Sequence, residues 1–152
     1  MTNAGECYSC VQDAVFDDLR VWERIAADEH WRVAHAFGTS LPGWLVLMPR
    51  RHVTSIADLT DAEAAGLGLW QVRISRALHE VTGCEKAYMA QFAEGEGFSH
   101  VHFHMMPRMS DLAAEFRGPR VFGLMGGGGD DAVPAERMDE LARALAQVLT
   151  RT

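Results

Sequence analysis

The strongest constraint on the fold is the run His100-Val101-His102-Phe103-His104-Met105-Met106-Pro107-Arg108, whose first six positions alternate imidazole and apolar side chains. A period of two belongs to a β-strand, where residues two apart share a face at a spacing of about 6.5–7 Å. The alternation predicts a strand over 99–106 with His100, His102 and His104 on one surface. Val101, Phe103 and Met105 take the other surface and anchor the strand in a core. Pro107, lacking an N–H, closes it. One histidine would say little, but three on one strand face point to chemistry. A neutral imidazole can act as a nucleophile, and a protonated neighbour can steady negative charge or assist a leaving group. A metal-binding cluster or a chance run are the alternatives.

Other segments are legible by the same logic. Thr60-Asp61-Ala62-Glu63 fits a capping box, with a hydroxyl acceptor first and a carboxylate three residues later. Leu67, Trp70, Ile74, Leu78 and Val81 then recur at helical spacing, and Gly83 is placed to end the helix. A second helix starts near Pro134, with Met138, Leu141, Leu145 and Val148 on one face. Strands are expected over 31–37, 44–48 and 86–92, with turn chemistry at Leu41-Pro42-Gly43 and a stop at Pro49. Residues 13–28 fit helix or strand equally. The glycine tract 126–129 reads as a mobile loop. The expected fold is α+β: an antiparallel meander with one long inserted helix and a C-terminal helix, in a single domain spanning 1–152.

Composition narrows the function. A chain of 152 residues with 48% hydrophobic and 23% charged side chains is ordinary for a soluble globular domain. No apolar run is long enough to span a bilayer, and residues 1–10 lack the features of a signal peptide. Three cysteines, an odd number, suit a reducing compartment, so the cytoplasm is expected. A net charge of −7 argues against a general nucleic-acid or membrane-surface binder. A nucleotide substrate remains compatible, because Arg50, Arg51 and Arg108 flank the histidine-bearing segments and could make one pocket locally positive. Cys7-Tyr8-Ser9-Cys10 by itself fits a redox pair, half of a zinc site, or coincidence. Cys84 has no partner in sequence and reads as a packing residue. His30, His35 and His79 need no function, and His35 is expected to be a satisfied core or surface histidine.

Taken together, the run from His100 to Arg108 resembles the histidine triad superfamily, with its pattern His-φ-His-φ-His-φ-φ. Pro42-Gly43-Trp44-Leu45-Val46-Leu47-Met48-Pro49-Arg50-Arg51-His52 is similar to that family's other hallmark. The resemblance covers roughly residues 7–108, and 109–152 form a divergent tail. It implies a homodimeric hydrolase or nucleotidyltransferase acting on nucleotide phosphate linkages, phosphoramidates or dinucleoside polyphosphates. It makes His102 the nucleophile, its second ring nitrogen held by the His100 carbonyl, and sets His104 beside the leaving group. Gln91 and Ser99 would be hydrogen-bond partners of the substrate. If His104 carries the proton for the leaving group, a bell-shaped pH profile is expected. The resemblance also implies a structural zinc held by Cys7, Cys10, His52 and His100, as in a subset of triad proteins. Two positions depart from the pattern: Glu96, where many relatives carry glutamine, and Trp44, where relatives often have histidine. The alternatives are transfer of the nucleotide onto a sugar phosphate, or a nucleotide-binding or zinc-stabilised interaction protein with vestigial catalysis.

Overall fold

The computed structural model describes residues 4–126 and 130–151. Five antiparallel strands form one sheet: β1 (Ala26–Ala27), β2 (Trp31–His35), β3 (Leu45–Pro49), β4 (Lys86–Ala90) and β5 (Phe103–Arg108), in the order β1-β2-β3-β5-β4. Three α-helices accompany it: α1 (Tyr8–Ala14), α2 (Asp61–Thr82) and α3 (Ala135–Leu149). The fold is α+β as expected, with β5 in the interior of the sheet and β4 at its outer edge. The tract at 127–129, expected to be a mobile loop, lies outside the described residues.

Helix α2 starts and ends as its sequence dictates. The Thr60 hydroxyl accepts from the Glu63 N–H at 3.1 Å, and the Glu63 carboxylate accepts from the Thr60 N–H at 2.8 Å. Arg51 donates to the same carboxylate at 2.8 Å and holds Glu63 far down, at about 2. Gly83 caps the far end at φ 72°, a left-handed conformation that costs a glycine little. Trp70, Ile74, Ala77 and Leu78 are buried, and Leu67 and Val81 pack partly against them. Helix α3 buries Met138, Leu141, Ala142, Leu145 and Leu149, while Val148 is only partly buried. Most of these join Trp31, Val33, Leu45, Leu47, Phe103 and Met105 in one continuous core on the helix side of the sheet.

The opposite face of the same strands builds the site. Arg32, Ala34, Val46, Met48 and His104 alternate with the core residues of β2, β3 and β5. Residues 13–28, ambiguous in sequence, form the end of α1, two 3₁₀ turns (Phe16–Asp18 and Val21–Glu23) and β1. No helix among the described residues is long and apolar enough to cross a membrane.

Several expected strand boundaries move. The last strand runs from Phe103 to Arg108, not over 99–106, and Pro107 lies inside it, paired with Ala87 on β4, rather than closing it. Its pairing with β3 ends at Leu47↔Phe103, and continuing that register would set Val101 against Pro49, which has no N–H to give. Val101 donates instead to the Val53 carbonyl at 2.7 Å, and the chain peels away from the sheet at His102. Similarly, β2 ends at His35 and β4 at Ala90, each two residues early.

Candidate active site

Leaving the sheet before Phe103 changes how the three histidines are arranged. His102 and His104 remain neighbours, with ring centroids 4.9 Å apart. His100 does not share their surface. It is buried, and its ring turns away toward the N-terminal helix. The expectation of three imidazoles on one strand face is therefore corrected: two face the cavity, and the third faces two cysteines.

His102 is oriented by backbone. Its Nδ1 lies 2.7 Å from the His100 carbonyl, a bond in which the ring N–H donates, which leaves Nε2 with its lone pair. His104 is paired between Val46 on β3 and Ala90 on β4, and its half-buried ring lines the cavity. Its Nδ1 accepts a hydrogen bond from the Trp44 indole N–H at 3.0 Å. Burial first, and the neighbouring His102 second, push His104 down to about 4. In the free protein both effects disfavour the protonated ring.

Both rings line a cavity of about 410 Å³, an ordinary size for a small-molecule site. Two aromatic groups wall it. Tyr8, Phe37 and Phe98 stack at 5.3–6.1 Å, with Trp22 6.4 Å from Phe37. On the other side, Phe122 stands edge-on to His104 at 5.0 Å, to Trp44 at 5.3 Å and to Phe92 at 5.5 Å. Phe122 comes from a 3₁₀ segment of the tail, Gly118–Leu124, tied down by Ser40 N–H to the Leu124 carbonyl and Gly118 N–H to the Tyr88 hydroxyl. Sequence reasoning missed this wall, because nothing in the tail's pattern says where it packs. Ala93, on the cavity wall, has φ 57°, a conformation costing a non-glycine residue about 1–2 kcal/mol. Gln91 and Ser99 do not line the cavity, and the Gln91 Oε1 is buried without a hydrogen-bond partner among the described residues. Glu96 is exposed and does not line the cavity. Arg50 pairs with Asp13 at 3.0 Å and Arg51 with Glu63, so neither serves the cavity.

Behind His102 the remaining ligand candidates converge. Cys7, at the N-cap of α1, and Cys10, one turn later, present both thiols on one side of the helix. The His100 Nδ1 lies 3.5 Å from each sulfur, and the His52 Nδ1 lies 3.3 Å from Cys10 Sγ. The four donor atoms sit within 4.8 Å of one another. Zinc bonds of about 2.3 Å to sulfur and 2.0–2.1 Å to nitrogen imply tetrahedral S···N edges near 3.6 Å, so the set fits such an ion. The His100 Nε2–H donates to the Pro49 carbonyl at 2.7 Å, which frees Nδ1 as the ligand nitrogen. Without a cation, burial and the adjacent Cys7 thiol push Cys10 up to about 12. A divalent ion would reverse that by binding thiolate.

His35, on β2, is fully inside. Its Nδ1–H donates to the Ala36 carbonyl at 2.7 Å and its Nε2 accepts from the Gly43 N–H at 3.0 Å. It stitches β2 to the turn before β3, and Gly43 there has φ 88° with Pro107 and Thr82 already within 3.3 Å of where a Cβ would stand.

Fold and site together define a class: a five-stranded α+β domain with two imidazoles over an aromatic-walled cavity and a Cys₂His₂ cluster behind the strand that carries them. The chain belongs to the HIT domain family, whose model matches residues 23–111, more than half its length. Among solved structures it is similar to a zinc-bound histidine triad family protein from Mycobacterium smegmatis, at 21% identity and TM-score 0.69, covering 98% of this chain and 96% of that one. A histidine triad protein from Bradyrhizobium japonicum matches at 29% identity and TM-score 0.68, over 83% of this chain and 89% of that one. A hypothetical histidine triad nucleotide-binding protein from Sulfolobus tokodaii matches at 14% identity and TM-score 0.69, over 94% and 91%. No curated protein matches.

Proposed function

We propose that this protein is a nucleotide hydrolase or nucleotidyltransferase that works through a covalent nucleotidyl–His102 intermediate. The observation that carries the reading is the 2.7 Å contact between His102 Nδ1 and the His100 carbonyl, which leaves Nε2 as the free nucleophilic nitrogen of a ring lining the cavity. The aromatic wall formed by Tyr8, Phe37 and Phe98, whose rings tilt by 45–55° to one another, offers apolar ring faces of the kind that take a base. In the first step the Nε2 lone pair forms an N–P bond as the bond from phosphorus to the leaving group breaks, its electron pair departing with that group. In the second, water or another acceptor attacks phosphorus, the N–P bond returns its electrons to Nε2, and the acceptor's proton passes to solvent. Phosphoramidates and dinucleoside polyphosphates are the substrates to try first.

Zinc at Cys7, Cys10, His52 and His100 is part of the same proposal, as a structural ion: it would hold the backbone from which the His100 carbonyl orients His102. A homodimer is also proposed, from the family likeness, with Leu69 and Val72 of α2 and Met89 of edge strand β4 as exposed apolar side chains available to it. Incubating the protein with radiolabelled nucleotide phosphoramidates and polyphosphates, then quenching in mild base, tests the core reading. A labelled peptide containing His102 supports it, and turnover without any label on histidine rejects it.

A further inference from the structure

Trp44 and His104 are 60 residues apart in sequence and 3.0 Å apart in space, indole N–H to imidazole Nδ1. An indole N–H is only a donor, so the Nδ1 it meets must hold a lone pair, and the single proton of a neutral His104 lies on Nε2. Trp44 cannot readily move. It is fully buried, and its ring is wedged edge-on between His104 at 5.6 Å and Phe122 at 5.3 Å. Adding a proton at His104 Nδ1 would set two N–H donors against each other where water cannot intervene. The low basicity of His104, from burial and from His102, acts in the same direction. His102 is the titratable group facing this ring, and the other close neighbours are Trp44, Phe122, Val46 and Ala90.

We infer that Trp44 is a positioning residue that holds His104 as a neutral Nε2–H donor, so that this histidine hydrogen-bonds the phosphoryl group without handing a proton to the leaving group. The inference rests on the nucleotidyl reading and narrows its substrate class. A neutral imidazole that surrendered Nε2–H would become imidazolate, a far stronger base than the group it served. The departing atom must therefore leave with the P–O electron pair and need no proton. Of the two substrate classes named above, that favours the polyphosphates, whose leaving oxygen is a weakly basic anion. An amine leaving group needs a proton from elsewhere and fits the site less well.

The test uses the full-length protein, labelled with ¹⁵N, and aryl esters of adenosine monophosphate with phenols of graded acidity. Proton–nitrogen correlation spectra at neutral pH report the tautomer, with His104 assigned by the signals lost in His104→Asn. We expect only Nε2 to be protonated in the wild type, and a mixture of tautomers in Trp44→Phe. With the esters, the rate falls steeply as the phenol becomes less acidic, and Trp44→Phe lowers kcat by roughly 10- to 100-fold with little change in KM. The wild-type spectrum does not depend on Trp44→Phe folding, and an Nδ1-protonated or doubly protonated His104 there overturns the inference. So does a rate indifferent to phenol acidity. No turnover of any ester, with His104 in the expected tautomer, rejects the nucleotidyl reading and the substrate class while upholding the Trp44–His104 pair.

Discussion

His100 orients His102 through its main chain: the carbonyl of one accepts from the ring of the other at 2.7 Å, while the His100 ring faces Cys7 and Cys10. One residue thus belongs to both centres. Its side chain answers to the cysteine cluster and its backbone sets the orientation of the candidate nucleophile.

The first expected outcome concerns that nucleophile. On the proposed mechanism His102→Ala removes the nucleophilic nitrogen, so kcat should fall by at least about 10³-fold. The circular dichroism spectrum and melting temperature should stay close to wild type, because the ring is only partly buried and borders a cavity. Wild-type activity in this variant would exclude the covalent route.

Metal content is the second. Protein purified without chelator should carry about one zinc per chain, measured by atomic emission. Cys7→Ser should bind less and melt roughly 5–10 °C lower, corresponding to about 2–3 kcal/mol for a domain of this size. An unchanged melting curve in a metal-free preparation would count against the site.

Rate against pH is the third. His104 sits near 4 in the free protein and is neutral throughout the ordinary range, so its titration contributes no alkaline limb. With the nitrophenyl ester of adenosine monophosphate, kcat/KM should show no fall on the alkaline side. It should hold level from about pH 7 to pH 9. A fall on the alkaline side that disappears in His104→Asn would show that His104 is an acid after all.

Stability against pH follows from His35. Burial lowers it from 6.5 to about 4, with the Ala36 carbonyl opposing. The unfolded chain therefore binds a proton that the folded one refuses, in the window between those values. The contribution is fully present above about pH 6.5 and is lost as pH falls toward 4, an effect of about 3 kcal/mol. His104 acts in the same direction. Glu63, held down at about 2 by Arg51, loses its contribution only below 4.5, so the windows separate. Urea unfolding at pH 7 and pH 4.5 should show the loss in wild type and a smaller one in His35→Gln. An equal loss in both would mean that His35 is not responsible.

How much of this was written in the sequence depends on distance along the chain. The ends of α2 were legible because a capping box and a terminal glycine act within one turn: Thr60 meets Glu63, and Gly83 meets His79. The strands were legible to within a few residues, since alternation reports burial but not where a partner strand stops. Pro49 ends the pairing of residues near His102, a fact visible only once β3 and β5 are known to be neighbours. The cysteine cluster was anticipated through family resemblance, because spacing alone supplies half of a tetrahedral set. The Trp44–His104 bond and the Phe122 wall were not legible. Trp44 read as the start of an apolar strand, and the tail carries no pattern that assigns it to the cavity. His35 read as a satisfied interior histidine, but its two partners, Ala36 and Gly43, emerge only from the turn that brings them together.

The cluster of Cys7, Cys10, His52 and His100 draws its donors from positions as far as 93 residues apart. Contacts of such separation close only after the intervening sheet has assembled, so the ligands do not nucleate folding. A cation seated there would leave the folding rate nearly unchanged and slow the escape from the native state, because stabilisation absent from the transition state appears in the unfolding limb. The arrangement is a latch rather than a seed. Its benefit is measured in the lifetime of the folded molecule.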